Sequence, residues 1–168
     1  IIINRGFSSL HITEDIDLVI YSTNWEDNVE VKTARSKKLL VLSYPEAIGI
    51  AASEKFSIAI TGSHGKTTTP SLVGHILTEA GYDPTIIVGG YIKAWKGNCR
   101  IGSSNCFVFE ADGYENKLKF FDPKLVVLTN ITYDHPDYFN TPESYKEVFT
   151  EFIKRMDSSS VIVLNEDD

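Results

Sequence analysis

The residues best suited to chemistry lie in one short run, Gly62-Ser-His-Gly-Lys-Thr67, directly after the apolar segment Ile58-Ala-Ile60. Gly62 and Gly65 allow a tight turn and close approach of the backbone to an anion, and the N–H groups of a following helix would point at the same spot. Lys66 adds a point charge for outer phosphates. The Thr67 hydroxyl is placed to coordinate the magnesium that accompanies a nucleotide triphosphate. The glycine spacing is shorter than the general phosphate-loop pattern, whose first glycine would fall at Ile60. A Gly-Lys-Thr tripeptide alone would equally suit a helix N-terminus with an exposed lysine. The apolar strand before it, and the helical spacing of Leu72, Val73, Ile76 and Leu77 after it, favour nucleotide binding.

A phosphate loop needs metal ligands, and in doubly wound sheets ligands gather at the carboxyl ends of strands. Two strand exits carry acids: Glu110-Ala-Asp112 follows Cys106-Phe-Val-Phe109, and Tyr133-Asp-His-Pro-Asp137 follows Leu125-Val-Val-Leu128 and Thr129-Asn130. Each alone would also read as a solvated strand cap. Two of them behind a phosphate loop point to magnesium coordination. On chemistry alone Asp134 or Asp137 suits this hard cation better than His135.

Elements must hold these groups in place. Short apolar runs at Leu18–Ile20, Leu39–Leu42, Ser57–Ile60, Phe107–Phe109, Leu125–Leu128 and Val161–Leu164 read as strands buried on both faces. Between them, Asp27–Lys38, Tyr44–Ser53 and Lys66–Ala80 read as helices, and Thr141–Met156 as another with Thr141 as N-cap and Pro142 in its first turn. The pattern predicts an α/β fold of parallel sheets with flanking helices. A boundary near Ser53–Phe56 divides residues 1–53 from an incomplete nucleotide-binding domain over 54–168.

The net charge of −7 argues against nonspecific nucleic-acid binding, which needs a basic face. No apolar run is long enough to cross a bilayer and the first residues lack the make-up of a signal peptide, so a cytoplasmic location is expected. Cys99 and Cys106 have no Cys-x-x-Cys spacing and no nearby histidine, which disfavours zinc. The chain opens without methionine inside an expected strand at Ile1–Ile3, and is expected to be a piece of a longer protein.

Thr61-Gly-Ser-His-Gly-Lys-Thr-Thr68, Glu110-Ala-Asp112 and Thr129-Asn-Ile-Thr-Tyr-Asp-His135, in this order, resemble the central domain of the Mur ligases. These are ATP-dependent enzymes that add amino acids to the UDP-muramic acid precursor of peptidoglycan. Val88-Gly-Gly90, Lys96-Gly-Asn-Cys-Arg-Ile-Gly102 and Asp134-His-Pro-Asp-Tyr-Phe139 are most similar to the members that join L-alanine or a recycled peptide to UDP-N-acetylmuramate. Ser22-Thr-Asn-Trp-Glu-Asp-Asn28 resembles the end of their Rossmann-like UDP-binding domain.

The resemblance implies ATP and Mg2+ as cofactors, with UDP-N-acetylmuramate and an amino acid or short peptide as partners. It implies a cofactor cradle of Gly62, Ser63, His64, Gly65, Lys66, Thr67 and Thr68. It makes Lys66, Glu110 and His135 catalytic, with Thr67, Glu110 and His135 serving metal, and Asp134 orienting the His135 ring. It also implies that a UDP-binding start precedes this chain and a third domain follows it, so that the isolated chain binds ATP weakly without ligating. Folate- or cyanophycin-type ligases and a non-catalytic nucleotide-binding module are the competing expectations.

Overall fold

A computed structural model describes residues 3–166; the first two residues of the expected opening strand lie outside it. The chain forms two compact units, Ile1–Ile48 and Gly49–Asp168. In the first, β1 (Leu18–Tyr21) pairs in parallel with β2 (Leu40–Ser43), and α1 (Val29–Ser36) connects them. Asn28 caps α1 by accepting from the Glu30 N–H, which satisfies one of the free donors of its first turn. Val31 and Ala34 are the buried face of this short helix.

The helix α2 (Tyr44–Ser53) contains the division between the units. Its last turns belong with the second unit because Gly49 sits against the Phe120 carbonyl: a Cβ there would lie 2.2 Å from that oxygen.

The second unit is a six-stranded sheet ordered β5-β4-β6-β3-β7-β8. Its strands are β3 (Phe56–Thr61), β4 (Thr85–Ile92), β5 (Gly97–Arg100), β6 (Cys106–Glu110), β7 (Leu125–Leu128) and β8 (Val161–Leu164). All pair in parallel except β5, which returns antiparallel on β4 at the sheet edge. The β4–β5 hairpin is not foreshadowed by the apolar runs of the sequence, because Gly89 and Gly90 interrupt β4 and Gly97 and Asn98 open β5.

The expectation of strands buried on both faces holds at the sheet centre and fails elsewhere. In β3, residues Ser57 to Thr61 are all buried, whereas in β1 and β8 alternate or most residues are exposed. Ile58, Ile60, Ile86, Val88 and Val108 form the core, with Val73 and Leu77 of α3 (Thr68–Glu79) packed on it. Leu72 and Ile76, expected on the same apolar face, point outward at 56% and 65% exposure. The reason is Gly74. It lets α3 settle directly on β4, where a Cβ would meet Ile86 Cδ1 at 2.3 Å, and this turns the 73/77 row inward and the 72/76 row out.

The helix α4 (Pro142–Arg155) starts where expected. Thr141 accepts from the Ser144 N–H in a capping box, with Pro142 in the first turn. Its buried face is aromatic: Tyr145 lies edge-on between Phe139 and Phe149, with ring centroids 5.1 Å from each. Burying each such ring contributes roughly 1.5–3 kcal/mol. Among the described residues no helix is long and apolar enough to cross a membrane.

Candidate functional site

The central strand β3 delivers the chain into the Gly62–Thr67 loop, and α3 begins at Thr68 rather than at Lys66. Gly62 has φ +130° and Gly65 φ +81°, conformations that L side chains rarely adopt. At Gly62 the missing side chain serves the fold as well. A Cβ would lie 2.3 Å from Thr129 Oγ1 and 2.7 Å from the Asn130 carbonyl, so the strand exit behind the loop demands glycine there.

Thr67 is the N-cap of α3 and makes no side-chain cap bond, which leaves the helix N-terminus facing the loop uncapped by its own side chain. The Thr67 hydroxyl instead donates to Glu110 Oε2 at 2.9 Å. That oxygen also accepts the Gly89 N–H at 2.6 Å, so Glu110 links the loop to β4 across the sheet. Both neighbouring glycines leave room for these two side chains. A Cβ at Gly89 would meet Glu110 Oε2 at 2.9 Å, and one at Gly90 would meet Thr67 Cγ2 at 2.9 Å. In the sequence these glycines stand out only as a family mark. A Gly-Gly pair inside a strand is the signal that a neighbour approaches closely.

Lys66 reaches back along the loop and donates from Nζ to the Ser63 carbonyl at 2.8 Å. Ser63 is 7% exposed, and its hydroxyl is engaged within the protein. It donates to the Thr132 carbonyl at 2.5 Å, accepts the Thr132 N–H at 2.9 Å, and lies 2.9 Å from the Tyr145 hydroxyl. Burial pushes the Tyr145 phenol up, the Ser63 hydrogen bond works against this, and the nearby Asp134 and Asp112 carboxylates add to the rise. The phenol is therefore held neutral near neutral pH. Asn130 holds the next residue: its Oδ1 accepts the His64 N–H at 3.0 Å and its Nδ2 donates to the His64 carbonyl at 3.0 Å.

His135 stands in a separate cluster. It has φ +57°, its N–H donates to Asp134 Oδ1 at 2.8 Å, and its Nε2 is 3.6 Å from Asp134 Oδ2. Its ring lies 4.5 Å from that of Tyr114, whose hydroxyl donates to Asp137 Oδ2 at 2.8 Å. Asp134 thus bonds the His135 main chain, while its carboxylate and the His135 ring are neighbours without a hydrogen bond. Among the described residues no three His, Cys, Asp or Glu side chains converge as a metal site, and no hydrogen bond joins His135 to Thr67 or Glu110. A magnesium ion held at Thr67 Oγ1 and Glu110 would thus take most of its ligands from phosphate and water, as this cation usually does.

A glycine-shaped loop, an uncapped helix N-terminus, a loop lysine and a hydroxyl–carboxylate pair at the carboxyl ends of a parallel sheet define a phosphate-binding α/β protein. The chain belongs to the Mur ligase family: residues 60–168 match the Mur ligase middle domain. It is 36% identical over 165 residues to the UDP-N-acetylmuramate–L-alanine ligase of Borreliella burgdorferi, covering 96% of this chain and 35% of that protein. With the enzyme of that name from Caldanaerobacter subterraneus subsp. tengcongensis the identity is 39% over 163 residues, covering 94% and 35%. Among solved structures, the UDP-N-acetylmuramate–alanine ligase of Thermotoga maritima superposes with a TM-score of 0.81 at 26% identity, covering 98% of this chain and 38% of that one. The chain spans about a third of the length of the curated relatives it matches.

Proposed function

We propose that the chain is the nucleotide-binding core of an ATP-dependent amide ligase of peptidoglycan precursor synthesis. In this reading the enzyme activates the carboxylate of UDP-N-acetylmuramate for attack by the amine of L-alanine. The observation that carries it is the junction of Thr67 and Glu110 at the mouth of the Gly62–Thr67 loop, in a chain similar over nearly its whole length to proteins named for that reaction. Residues 1–53 then form the C-terminal part of a Rossmann-like domain for the UDP-linked substrate, and residues 54–168 most of the ATP-binding domain. The reading places the protein in the cytoplasm, where such precursors are made.

The residues present fit the groups they would hold. The loop's positive-φ glycines and the N-terminus of α3 suit a polyphosphate. Thr67 Oγ1 and Glu110 Oε2 are hard oxygen donors, as Mg2+ requires. ADP accompanies the solved MurF ligase of Thermotoga maritima, which shares this fold with a TM-score of 0.64. The chemistry ATP would supply when bound is a phosphoryl group that turns a carboxylate into an acyl phosphate, from which an amine displaces inorganic phosphate to form the amide.

Lys66, bonded here to the Ser63 carbonyl, would hold the outer phosphate oxygens and offset the charge that spreads over them. Glu110 is aimed by the Gly89 N–H and the Thr67 hydroxyl. His135, beside Asp134 and against the tilted ring of Tyr114, would serve the water shell of a second metal. Positioning and electrostatics carry the catalysis, so no protein nucleophile is needed.

The test is calorimetric titration of the chain with Mg-ATP, beside phosphate release by the ligase that contains it. Wild-type binding should fall at least tenfold in Lys66→Ala, roughly the loss of one charge-assisted contact. Phosphate release should require both UDP-N-acetylmuramate and L-alanine. Unchanged binding in Lys66→Ala, or release that proceeds without the muramyl substrate, would overturn the proposal.

A further inference from the structure

The phosphate loop is held from outside as well as by its own Lys66–Ser63 bond. Two of its residues have positive φ, and at its centre the peptide groups of His64 are bonded by the side chain of Asn130, 66 positions further along the chain. A carboxamide that takes both the N–H and the C=O of one residue imitates the pairing a neighbouring strand would offer. Asn130 stands two residues beyond the end of β7, which lies beside β3 in the sheet. Its main chain contributes as well, for its carbonyl accepts the Ser63 N–H at 2.9 Å. The adjacent Thr129 hydroxyl donates to the His64 carbonyl at 2.7 Å.

We propose that Asn130 is a positioning residue whose carboxamide splints the loop at His64, fixing the phosphate-ready shape before any nucleotide arrives. The inference rests on the phosphate-site reading of Gly62–Thr67. Asn130 needs no contact with the nucleotide. Its contribution is to keep the loop in the one conformation in which Gly65, Lys66 and Thr67 face a single anion. A glycine-containing loop released from this hold would populate that conformation in only a fraction of molecules, and apparent affinity falls in proportion to the fraction. A fall of the competent fraction to about a tenth weakens Mg-ATP binding about tenfold.

The same segment links the loop to the His135 turn. Ser63 is bonded to both peptide groups of Thr132, three residues before His135, and to Tyr145 of α4. The segment 129–132 is therefore a strut with the phosphate loop on one side and the Asp134–His135 pair at its end.

The experiment uses the 168-residue chain in three forms, wild type, Asn130→Ala and Asn130→Asp, with amide hydrogen exchange read without ligand and Mg-ATP affinity read by titration. In Asn130→Ala, His64 N–H exchange should rise by about tenfold or more while the Ser63 N–H, held by the residue 130 main chain, stays protected. In Asn130→Asp the acceptor for the His64 N–H remains, but a carboxylate oxygen replaces the donor to the His64 carbonyl, so Mg-ATP affinity should fall there too. Mg-ATP affinity of Asn130→Ala should drop about tenfold. Equal His64 exchange in wild type and Asn130→Ala overturns the splint, and so does undiminished Mg-ATP affinity in an alanine variant whose His64 has been freed. A wild-type His64 N–H that exchanges as fast as an unbonded amide overturns it too, which decides the matter even where the alanine variant does not fold. A wild-type chain that binds no Mg-ATP overturns the phosphate-site reading itself, an outcome separate from the exchange result.

Discussion

Gly89→Ala is the sharpest test of the Glu110 arrangement, because the added methyl meets a carboxylate rather than the core. Its Cβ would lie 2.9 Å from Glu110 Oε2 and 3.1 Å from Oε1, closer than real Cβ atoms come without something moving. The carboxylate is the end of a flexible, half-buried side chain and can swing into water. It then gives up the 2.6 Å bond from the Gly89 N–H and the 2.9 Å bond from Thr67.

Each such bond to a charged group is worth about 1.5–3 kcal/mol, and rehydration of an accessible carboxylate returns most of that. The expected stability loss is about 1 kcal/mol, a shift of roughly 2–4 °C in melting temperature for a chain of this size. The functional effect should be far larger. Removing the groups that aim a metal ligand typically costs about 10–100-fold in metal affinity.

The assay titrates Mg2+ against nucleotide binding at fixed ATP and measures melting alongside. Gly74→Ala serves as the contrasting control. Its methyl would sit 2.3 Å from Ile86 Cδ1, in the core, so overpacking should cost about 1–3 kcal/mol with the Mg2+ requirement unchanged. An unaltered Mg2+ requirement in Gly89→Ala would refute the account of Glu110. A loss of melting temperature beyond about 10 °C in that variant would show that the carboxylate cannot swing aside.

Tyr145→Phe removes the hydroxyl beside Ser63 and keeps the ring between Phe139 and Phe149, so chemical denaturation should show a loss of about 1 kcal/mol, and a loss above about 3 kcal/mol would mean the aromatic packing itself was disturbed. Asp83 accepts from the Ser103 hydroxyl and N–H and from Arg100, which hold its carboxyl down from 3.8 to about 2. Its contribution is therefore fully present above the unfolded value and disappears as pH falls through the folded one. The melting-temperature gap between wild type and Asp83→Asn should be constant above about pH 5 and close between about pH 4 and pH 2. A gap that persists at the acid end would refute this.

Much of the phosphate site was legible because its parts are contiguous. Gly62, Gly65, Lys66 and Thr67 follow one another on one strand-to-helix turn, and the Thr141–Pro142 helix start is likewise written in adjacent residues. The strands with unbroken β-branched runs were legible for the same reason. The β4–β5 hairpin was not, since Gly89 and Gly90 answer to Glu110 and Thr67 across the sheet and look like a loop when read alone. The outward turn of Leu72 and Ile76 was hidden too, because Gly74 rather than the apolar spacing sets the face of α3.

By itself the sequence determined that this is an α/β chain with a phosphate loop, a lysine for an anion and acidic strand exits, all consequences of local order and hydrophobic run length. Only the tertiary structure decided what holds the loop. Asn130 and Tyr145 reach it from 66 and 82 positions away, and they do so because the sheet order sets β7 against β3 and α4 packs its aromatic face beneath. No periodicity along the chain encodes a hydrogen bond between residues whose separation is closed only by packing. The generic cradle of Gly62–Thr67 becomes a particular one through those distant side chains.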